Sequence, residues 1–484
     1  MESKKPVIGK YILDSLSIGM YNHPLMLIRE YIQNATDAID EFRKRNGLLG
    51  YDPKIEIQID GITHCLKIID NGSGISSNQS WEILHDIGNS KKRLNENRGF
   101  RGIGRLGGLG YCDSLIFKTK FFGEELCTVS SWDCCKLGKL IKSDNHYDTQ
   151  GILKEIISFE QQKYDRDIEG HFFEVEMVNL NSSRDMLLNV PLIKEYIASV
   201  APVSFNKKQF SFGNEIEAEL KKRIPNYETY KIAVNGEQIF KPYADEIRLR
   251  GDKKDRISGI DFINFNIDGR SLAFGWMARS KLLGTISSHS NFDGIRVRRD
   301  NILVGDNQLL SEFFREKRFN NYLVGEIYTV DEHLIPNSRR DDFEDNKEKD
   351  DFYESFIKNI GLPISKRIRQ ISIERGKARI NSQEIKIIEQ AKNILKEGYL
   401  ADYQKRVILR ELMCFKIKND PIDENIDELI SGIQNSKHHL DTNGNSSNKK
   451  NRALLKSIFE ILYKDYDDKE KAIRIIKKIL DIRI

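Results

Sequence analysis

The chain has 484 residues, and at roughly 150 residues per domain this length predicts about three domains with ample core. Lys and Arg number 77 and Asp and Glu 73, and the net charge of +4 argues against a protein that mainly coats nucleic acid or an acidic membrane. Hydrophobic residues make up 39% and charged residues 31%, which is a globular composition and not a disordered one.

The sequence contains no apolar run near the ~20 residues that a membrane-spanning helix needs, and its first residues form no secretory hydrophobic segment. The cysteines include the adjacent pair Cys134 and Cys135 but no C-x-x-C, so we expect neither a disulfide framework nor a structural zinc site. This cysteine usage favours a reducing cytoplasm. We therefore expect a cytoplasmic protein with no membrane partner.

The pattern of elements predicts an α+β fold. Residues 1–200 mix short alternating strands with helices and hold most of the glycine clusters. Residues 226–345 predict a second α/β domain, because strand-like segments surround an Asn-Gly hairpin signal. Those features are Tyr230–Val234, Asn235–Gly236, Ile263–Ile267 and Tyr322–Tyr328.

The remaining third of the chain is predicted to be helical. Helical patterns dominate residues 350–435, and residues 436–451 predict a polar linker. Residues 452–484 predict helices with apolar positions at helical spacing, which favours docking or dimerisation over a membrane role.

The segment Leu25–Arg43 predicts an amphipathic helix. Its apolar stripe, at alternating spacings of three and four, consists of Leu25, Ile28, Ile32, Ala35, Ile39 and Phe42. At ~100° per residue, Glu30, Asn34 and Asp37 fall within an arc of about 60° on the other side. Two interpretations stay open here: a solvated face, or a site that deprotonates water and holds a metal ion.

The segment Leu66–Gly74 predicts a buried strand that ends at Asp70, followed by a tight loop with Gly72 and Gly74. Alternating isoleucines over residues 55–59 predict a neighbouring strand with one buried face. An ionised Asp at a strand end can accept hydrogen bonds from an exocyclic amine such as that of adenine. An ordinary Asn-Gly turn fits this stretch equally well.

A glycine-rich segment covers Arg98–Gly110, with Gly99, Gly102 and Gly104 in a G-x-x-G-x-G pattern. Such density is typical of a loop whose N–H groups surround phosphate oxygens, or of one that moves. No Gly-Lys-Ser/Thr follows, so this is not a Walker A loop. The preceding residues Ser90, Lys91 and Lys92 are candidate phosphate partners.

Together, the order and spacing of these motifs resemble the Bergerat ATP-binding fold of the GHKL superfamily, which includes DNA gyrase B, the ninety-kilodalton heat-shock chaperone, histidine kinases, MutL and the MORC ATPases. Glu30 to Ala38 resembles the N box, and Asp70 to Gly74 and Gly99 to Gly104 resemble the two glycine boxes. The resemblance implies an N-terminal α/β sandwich, a mixed sheet covered by helices, that binds ATP and Mg²⁺. It implies that Glu30 is the general base, Asn34 the Mg²⁺ ligand and Asp70 the reader of the adenine amine, with Asp37 also in the site.

One position departs from the family pattern. The family usually has a Gly-Thr before a strand, with the Thr in the adenine network, whereas this chain has Gly170–His171 before Phe172. Either His171 replaces that hydroxyl through a different hydrogen bond, or the strand is misplaced. As a lone His it is equally compatible with a structural role.

The segment His333–Asp345 resembles the loop of the heat-shock chaperone's middle domain that reaches back to the γ-phosphate. The resemblance places Asn337 and Arg340 on the matching Asn and Arg, with Arg339 as an alternative. An Arg suits this role because its fixed fork stabilises charge in phosphoryl transfer. A surface salt-bridge cluster with the acidic residues at 341, 342 and 344 is the alternative. The resemblance thus implies that the second domain is transducer-like.

These resemblances imply an ATP-driven conformational switch of the chaperone or MORC type, in which two chains close together and act on a protein or DNA client. A place in bacterial defence is a further expectation. A non-catalytic ATP-gated clamp or binding module is the alternative. A histidine kinase is not expected, because the nucleotide motifs begin too early in the chain, and a type II topoisomerase is not expected, because residues beyond 345 leave no room for a cleavage domain.

Overall fold

A computed structural model describes residues 9–11, 13, 23–47, 51–87, 104–143, 148–164, 170–180, 186–225, 227–251, 253–337, 339–399, 402–418 and 424–437. The candidates Ser90, Lys91, Lys92, Gly99 and Gly102 lie outside these ranges, as do residues 438–484 with most of the predicted linker and the C-terminal helices. The chain divides into two units, residues 1–368 and residues 369–484, which are described separately.

An eight-stranded mixed sheet forms the framework of the first unit, in the order β5-β4-β3-β6-β2-β1-β7-β8. Its strands are β1 (Lys54–Asp60), β2 (Cys65–Asp70), β3 (Cys112–Lys120), β4 (Leu126–Asp133), β5 (Ile157–Lys163), β6 (Phe172–Leu180), β7 (Lys231–Val234) and β8 (Glu237–Gln238). All neighbours pair antiparallel except β1 and β7, which are parallel. Ile55, Ile57 and Ile59 are buried, so the alternation predicted from the sequence is confirmed.

Helices of this unit contribute their apolar residues to one core with the sheet. They are α1 (Met26–Asn46), α2 (Ser80–His85), α3 (Cys134–Lys142), α4 (Thr149–Ile156) and α5 (Val190–Val200). The next helix, α6 (Gly213–Arg223), contributes Ile216 and Leu220 to a separate core. Every member of the predicted stripe of α1 is buried, which confirms the helix and its core-facing side. The segment Gly104–Gly110 forms a 3-10 helix.

The placement of Tyr230–Val234 in the second region is corrected by the structure. Its strand β7 pairs with β1 from Lys54↔Lys231 to Ile57↔Val234, so it belongs to the first sheet. The Asn235–Gly236 turn then leads into β8, which confirms the hairpin signal, and both residues have the positive φ that such a turn needs. A parallel pairing between segments so distant in sequence leaves no local pattern to recognise.

A second sheet follows in the order β11-β12-β15-β13-β14, preceded by the pair β9 and β10. These strands are β9 (Glu246–Arg248), β10 (Lys254–Arg256), β11 (Gly259–Ile267), β12 (Arg270–Arg279), β13 (Gly294–Arg299), β14 (Ile302–Val304) and β15 (Val324–Thr329). The strands predicted at Ile263–Ile267 and Tyr322–Tyr328 are confirmed, the second starting two residues later. After this sheet come α7 (Lys347–Phe356) and a π-helical turn over Ile357–Gly361.

A fully buried ionic cluster stands on the second sheet around Glu326 of β15. Its carboxylate pairs with Lys241 at 3.0 Å and with Arg298 at 2.5 Å, and all three side chains are inaccessible. The guanidinium of Arg298 also donates to the carbonyl oxygens of Ser199 at 2.7 Å and Val200 at 3.3 Å, at the end of α5. The cluster therefore links the second sheet to a helix that precedes it.

The second unit contains only helices among its described residues. They are the C-terminal part of α8 (Leu362–Glu397), α9 (Asp402–Lys418) and α10 (Glu424–Asn435), which confirms the predicted helical character. Their small core consists of Ala391, Ile394, Ile408, Leu412, Leu429 and Ile433. Within the described residues, no helix combines the length and apolar character needed to cross a bilayer.

Candidate functional site

The polar flank of α1 is largely withdrawn from solvent. The side chain of Glu30 is 13% exposed, Asp37 is 5% exposed and Asn34 is half-buried. A solvated face, one of the two interpretations of this segment, does not fit these values. Buried carboxylates need hydrogen-bond or ion-pair partners, and the residues that supply them show which parts of the chain pack on this flank.

The loop after β2 packs closely on the same helix. Asp70 is 4% exposed, and its Oδ1 accepts a hydrogen bond from the backbone N–H of Gly72 at 2.8 Å. The N–H of Ser73 donates to the carbonyl oxygen of Ala38 at 3.0 Å. A Cβ on Gly72 would lie 2.6 Å from the Cβ of Ala38, so only glycine permits this approach.

The other glycine of this loop is also required. Gly74 has φ +66°, and a Cβ there would stand 2.1 Å from the carbonyl oxygen of Lys120 on β3. The glycines after Asp70 therefore do more than form a turn, since they let the loop backbone contact both α1 and the sheet.

His171 lies beside this loop, immediately before β6. Its Nδ1 is 2.6 Å from the carbonyl oxygen of Gly72, and its ring stacks on Phe42 of α1 with centroids 4.0 Å apart. The strand placement behind the His171 prediction agrees with β6, in which Phe173 pairs with Asp70. His171 thus contacts the glycine loop through a backbone carbonyl.

The loop after β15 is tightly folded. Pro336 and Phe343 form an isolated bridge, the N–H of Asn337 donates to Asp342 O at 2.9 Å, and the N–H of Arg340 donates to Asn337 O at 3.0 Å. Arg340 has φ 56°, a conformation that is costly for a residue with a side chain. The loop therefore holds Arg340 in an orientation that the extended chain would avoid.

This loop contacts the polar flank of α1. The Nε of Arg340 lies 3.2 Å from Oε1 of Glu30, and Nη2 of Arg29 donates to the carbonyl oxygen of Arg339 at 3.3 Å, although 310 positions separate Arg29 and Arg339. Asp342 instead pairs with Lys349 at 2.9 Å. The surface-cluster alternative therefore does not describe Arg340.

The remaining loop candidates point elsewhere. The side chain of Arg339 is exposed, and the Nδ2 of Asn337 donates to Asp341 at 2.7 Å. Gly104, the described glycine of the second box, is close to Glu30, because a Cβ there would lie 2.8 Å from its Oε2. Glu30, Gly104 and Arg340 thus meet at one point, and Asp70 with its glycine loop adjoins the same helix at Ala38.

Sequence reasoning missed Tyr31, which fixes the 3-10 segment. Its hydroxyl donates to the carbonyl oxygen of Arg105 at 3.0 Å and accepts from the N–H of Gly108 at 3.2 Å. Burial raises the pKa of Tyr31, so the neutral phenol keeps both roles. Its position among the apolar residues of α1 gave no sign of a polar task.

Two further residues near Glu30 were also missed. Arg29 is 4% exposed, and its Nε is 3.8 Å from Oε1 of Glu30. Tyr196 on α5 lines a small cavity with Arg29, and burial raises the pKa of Tyr196 to about 12. Arg29 directly precedes the candidate base in sequence, and that adjacency was the available signal.

Comparison with known proteins agrees with this geometry. The family model described as "Histidine kinase-, DNA gyrase B-, and HSP90-like ATPase" matches residues 23–159, the range that holds α1, the glycine loop and the 3-10 segment. Residues 23–159 are thus similar to the ATPase domains of the GHKL group. The chain as a whole resembles the heat-shock-chaperone type within that group.

Several relatives carry the name chaperone protein HtpG. The chain is 22% identical to that of Helicobacter hepaticus over 442 residues, covering 84% of this chain and 63% of the relative. It is 25% identical to HtpG of Clostridium botulinum (strain Langeland) over 290 residues, 56% of this chain and 44% of the relative. It is 34% identical to HtpG of Bdellovibrio bacteriovorus over 88 residues, which cover 17% of this chain and 14% of the relative. The matched parts thus span less than two thirds of each of these relatives.

Proposed function

We propose that this GHKL-type protein binds ATP with Mg²⁺, hydrolyses the γ-phosphate and uses the cycle as a conformational switch of the heat-shock-chaperone type. One observation carries the proposal: Arg340, from a loop that follows the second sheet, lies 3.2 Å from Glu30 on the ATPase domain. A cation beside a candidate general base is the arrangement that phosphoryl transfer uses to stabilise developing charge.

In this proposal different residues around α1 bind the adenine and act on the γ-phosphate. Asp70, which accepts a hydrogen bond from the N–H of Gly72, also accepts one from the exocyclic amine of adenine. The close-packed loop of Gly72 and Gly74 lies against the adenine ring. Glu30 takes a proton from the attacking water. Arg340 stabilises charge on the transferred phosphoryl group, and Gly104 leaves room for the phosphates next to Glu30. Gly99, Gly102, Ser90, Lys92, Asn337 and Arg339 remain proposed phosphate partners.

The residues present also fit Mg²⁺. Within the described ranges, no group of three or more His, Cys, Asp and Glu side chains forms a metal cage. Mg²⁺ accepts one or two protein oxygens when phosphates and waters supply the others, and the amide oxygen of Asn34 on the polar flank would be that ligand. Bound there, the ion would neutralise phosphate charge.

The client side of the proposal follows the resemblance to HtpG. We propose that ATP binding brings two chains together and that the assembly acts on unfolded protein. A MORC-like action on DNA is the competing outcome, and stimulation of hydrolysis by DNA and not by unfolded protein would favour it. Sedimentation with and without a non-hydrolysable ATP analogue tests the dimer.

The deciding experiment combines calorimetry with a steady-state ATPase assay. We expect the wild type to bind and hydrolyse ATP, Glu30→Ala to bind ATP without hydrolysing it, and Asp70→Asn to lose binding. Glu41→Ala is the matched control, since Glu41 is an exposed acid on the same helix that pairs with Arg45 at 2.6 Å. Its activity should equal that of the wild type.

Two results would change the conclusion. A folded chain that takes up no adenine nucleotide contradicts the whole proposal. A wild type that binds ATP and closes but hydrolyses none of it would establish the non-catalytic clamp instead.

A further inference from the structure

The side-chain amide of Gln33 is buried without a hydrogen-bond partner. Gln33 is 1% exposed in the middle of α1, and neither its Oε1 nor its Nε2 has a partner among the residues that the structure describes. An amide left in this state costs stability, because it loses its hydrogen bonds to water and gains none in return. An apolar side chain of similar length would fill the same space without that cost.

Gln33 stands next to the candidate catalytic groups. It follows Glu30 by three positions and Arg29 by four, and side chains at those spacings are neighbours on a helix. Glu30 pairs with Arg340, and Arg29 donates to the carbonyl of Arg339. Gln33 therefore lies on the same flank of α1 as the two residues that contact the loop after β15.

Other buried polar atoms without a hydrogen bond belong to the same two elements. Within the described residues, the Nε of Arg29 on α1 has no hydrogen-bond partner, its ion pair with Oε1 of Glu30 being 3.8 Å long, and the Oδ1 of Asn337 in the loop after β15 has none either. The indole N–H groups of Trp132 and Trp276 are further examples, but neither lies on the helix that carries Glu30. An unsatisfied amide one turn from a candidate general base points to a small polar ligand that joins it during the reaction.

We propose that Gln33 is a catalytic residue that holds the attacking water beside Glu30. This inference rests on the proposed ATP hydrolysis. The Oε1 of Gln33 accepts one hydrogen of the water, while the other O–H bond breaks and its proton goes to the carboxylate of Glu30. The water oxygen bonds to the γ-phosphorus, and the bond from that phosphorus to the bridging oxygen breaks, its electron pair leaving with ADP.

Two hydrogen-bond acceptors fix the direction of the water's lone pair better than one. A general base alone sets the distance to the water but leaves it free to rotate, and misplacement of a reacting atom by about 1 Å can cost about 100-fold in rate. The amide of Gln33 supplies the second contact. Its role is exerted on the reacting water, so it should affect kcat and leave the ground-state affinity for ATP unchanged.

The test is Gln33→Met, which keeps the length of the side chain and removes both polar atoms. Three quantities are measured: the melting temperature without nucleotide, the Kd for ATP by calorimetry and kcat by steady-state assay. We expect the melting temperature to stay equal or rise, the Kd to stay within about twofold and kcat to fall by at least about tenfold. This combination is one that loss of a structural contact would not produce.

Thr36→Val is the matched control. Thr36 is buried one turn further along α1, and its hydroxyl already donates to the backbone carbonyl of Gln33 at 2.9 Å. The same change from polar to apolar should there cost some stability and leave kcat unchanged.

Each other outcome overturns the proposal in its own way. A lower melting temperature or failure to fold in Gln33→Met means that the amide is satisfied and structural. Unchanged kcat means that it does not hold the water, and a weakened Kd at constant kcat means that it binds the nucleotide. A wild type without ATPase activity overturns the proposed function as well, whereas an active Gln33→Met with an active wild type overturns this inference alone.

Discussion

The guanidinium of Arg340 lies on the carboxylate of Glu30, with 3.2 Å between Nε and Oε1, and both side chains are largely buried. A helix of the first sheet and a loop that follows the second sheet thus share one charge pair. Because Arg340 adopts a left-handed backbone conformation, the loop stores strain that this contact helps to offset.

Replacing Arg340 should therefore lower turnover strongly. We expect Arg340→Ala to reduce kcat by about 100-fold or more while ATP is still bound, because an arginine at a phosphoryl-transfer site is worth about 10³ to 10⁵ in rate. Arg318→Ala is the control, since Arg318 is an exposed arginine that pairs with Glu316 at 2.7 Å, away from Glu30. Equal kcat values for the two variants would contradict the assignment.

Gly72→Ala should weaken ATP binding by at least about tenfold. The new methyl group would meet Ala38 at 2.6 Å and Oδ1 of Asp70 at 2.8 Å, so the carboxylate proposed to read adenine must move. Gly61→Ala, in the turn between β1 and β2, introduces a methyl group with nothing within 4 Å. Calorimetry should show wild-type affinity for Gly61→Ala, and a similar loss in both variants would refute the packing argument.

Tyr31→Phe should loosen the 3-10 segment without unfolding the domain. The change leaves the carbonyl of Arg105 and the N–H of Gly108 without their shared partner, at a cost of about 1–3 kcal/mol. We expect faster hydrogen exchange at Gly108 and its neighbours, with unchanged exchange in the central strands. Tyr322→Phe, near the second sheet, should leave exchange at Gly108 unaltered.

Glu326 should make the protein sensitive to acid. Burial by itself would raise the pKa of Glu326, but the charges of Arg298 and Lys241 outweigh that effect and hold it well below its usual range. In the unfolded chain the pKa of a Glu is about 4.3. Because the pKa of Glu326 is lower than this in the folded state, its ionised carboxylate stabilises the fold above that pH, and the stabilisation is lost as the pH falls further. The wild type should therefore unfold at progressively lower urea concentrations as the pH falls below that value.

Glu326→Gln identifies the source of this effect. At neutral pH the variant should lose about 3–5 kcal/mol, because Lys241 and Arg298 would stay buried without their counter-charge. The difference in the free energy of unfolding between the variant and the wild type should become smaller at acidic pH. Glu246→Gln, which removes an exposed partner of Lys254, should have little effect at either pH, and an acid response that persists in Glu326→Gln would place the titrating group elsewhere.

Local periodicity accounts for what could be predicted of the fold. The stripe of α1, the alternating isoleucines of β1 and the Asn235–Gly236 hairpin each depend on neighbours in sequence, and each is present. The grouping of Glu30, Asn34 and Asp37 likewise follows from the helical repeat alone.

Features that depend on distant partners could not be predicted in this way. Gln33 and Arg29 lie at the margin of the apolar stripe, where the helical repeat does not decide burial, and Arg29 contacts the distant loop after β15. Glycine density at Gly104–Gly110 predicted a loop, whereas the hydroxyl of Tyr31 organises a 3-10 turn. In both cases the deciding contact comes from another element.

The pairing of β7 with β1 also bears on how the candidate nucleotide site can be studied in isolation. A recombinant fragment cut after residue 200 would remove β7 and β8 and open the backbone of β1 along a sheet edge. An uncovered edge of that kind recruits strands from other molecules and favours aggregation. Soluble expression of the isolated N-terminal domain therefore calls for a cloning boundary beyond Gln238.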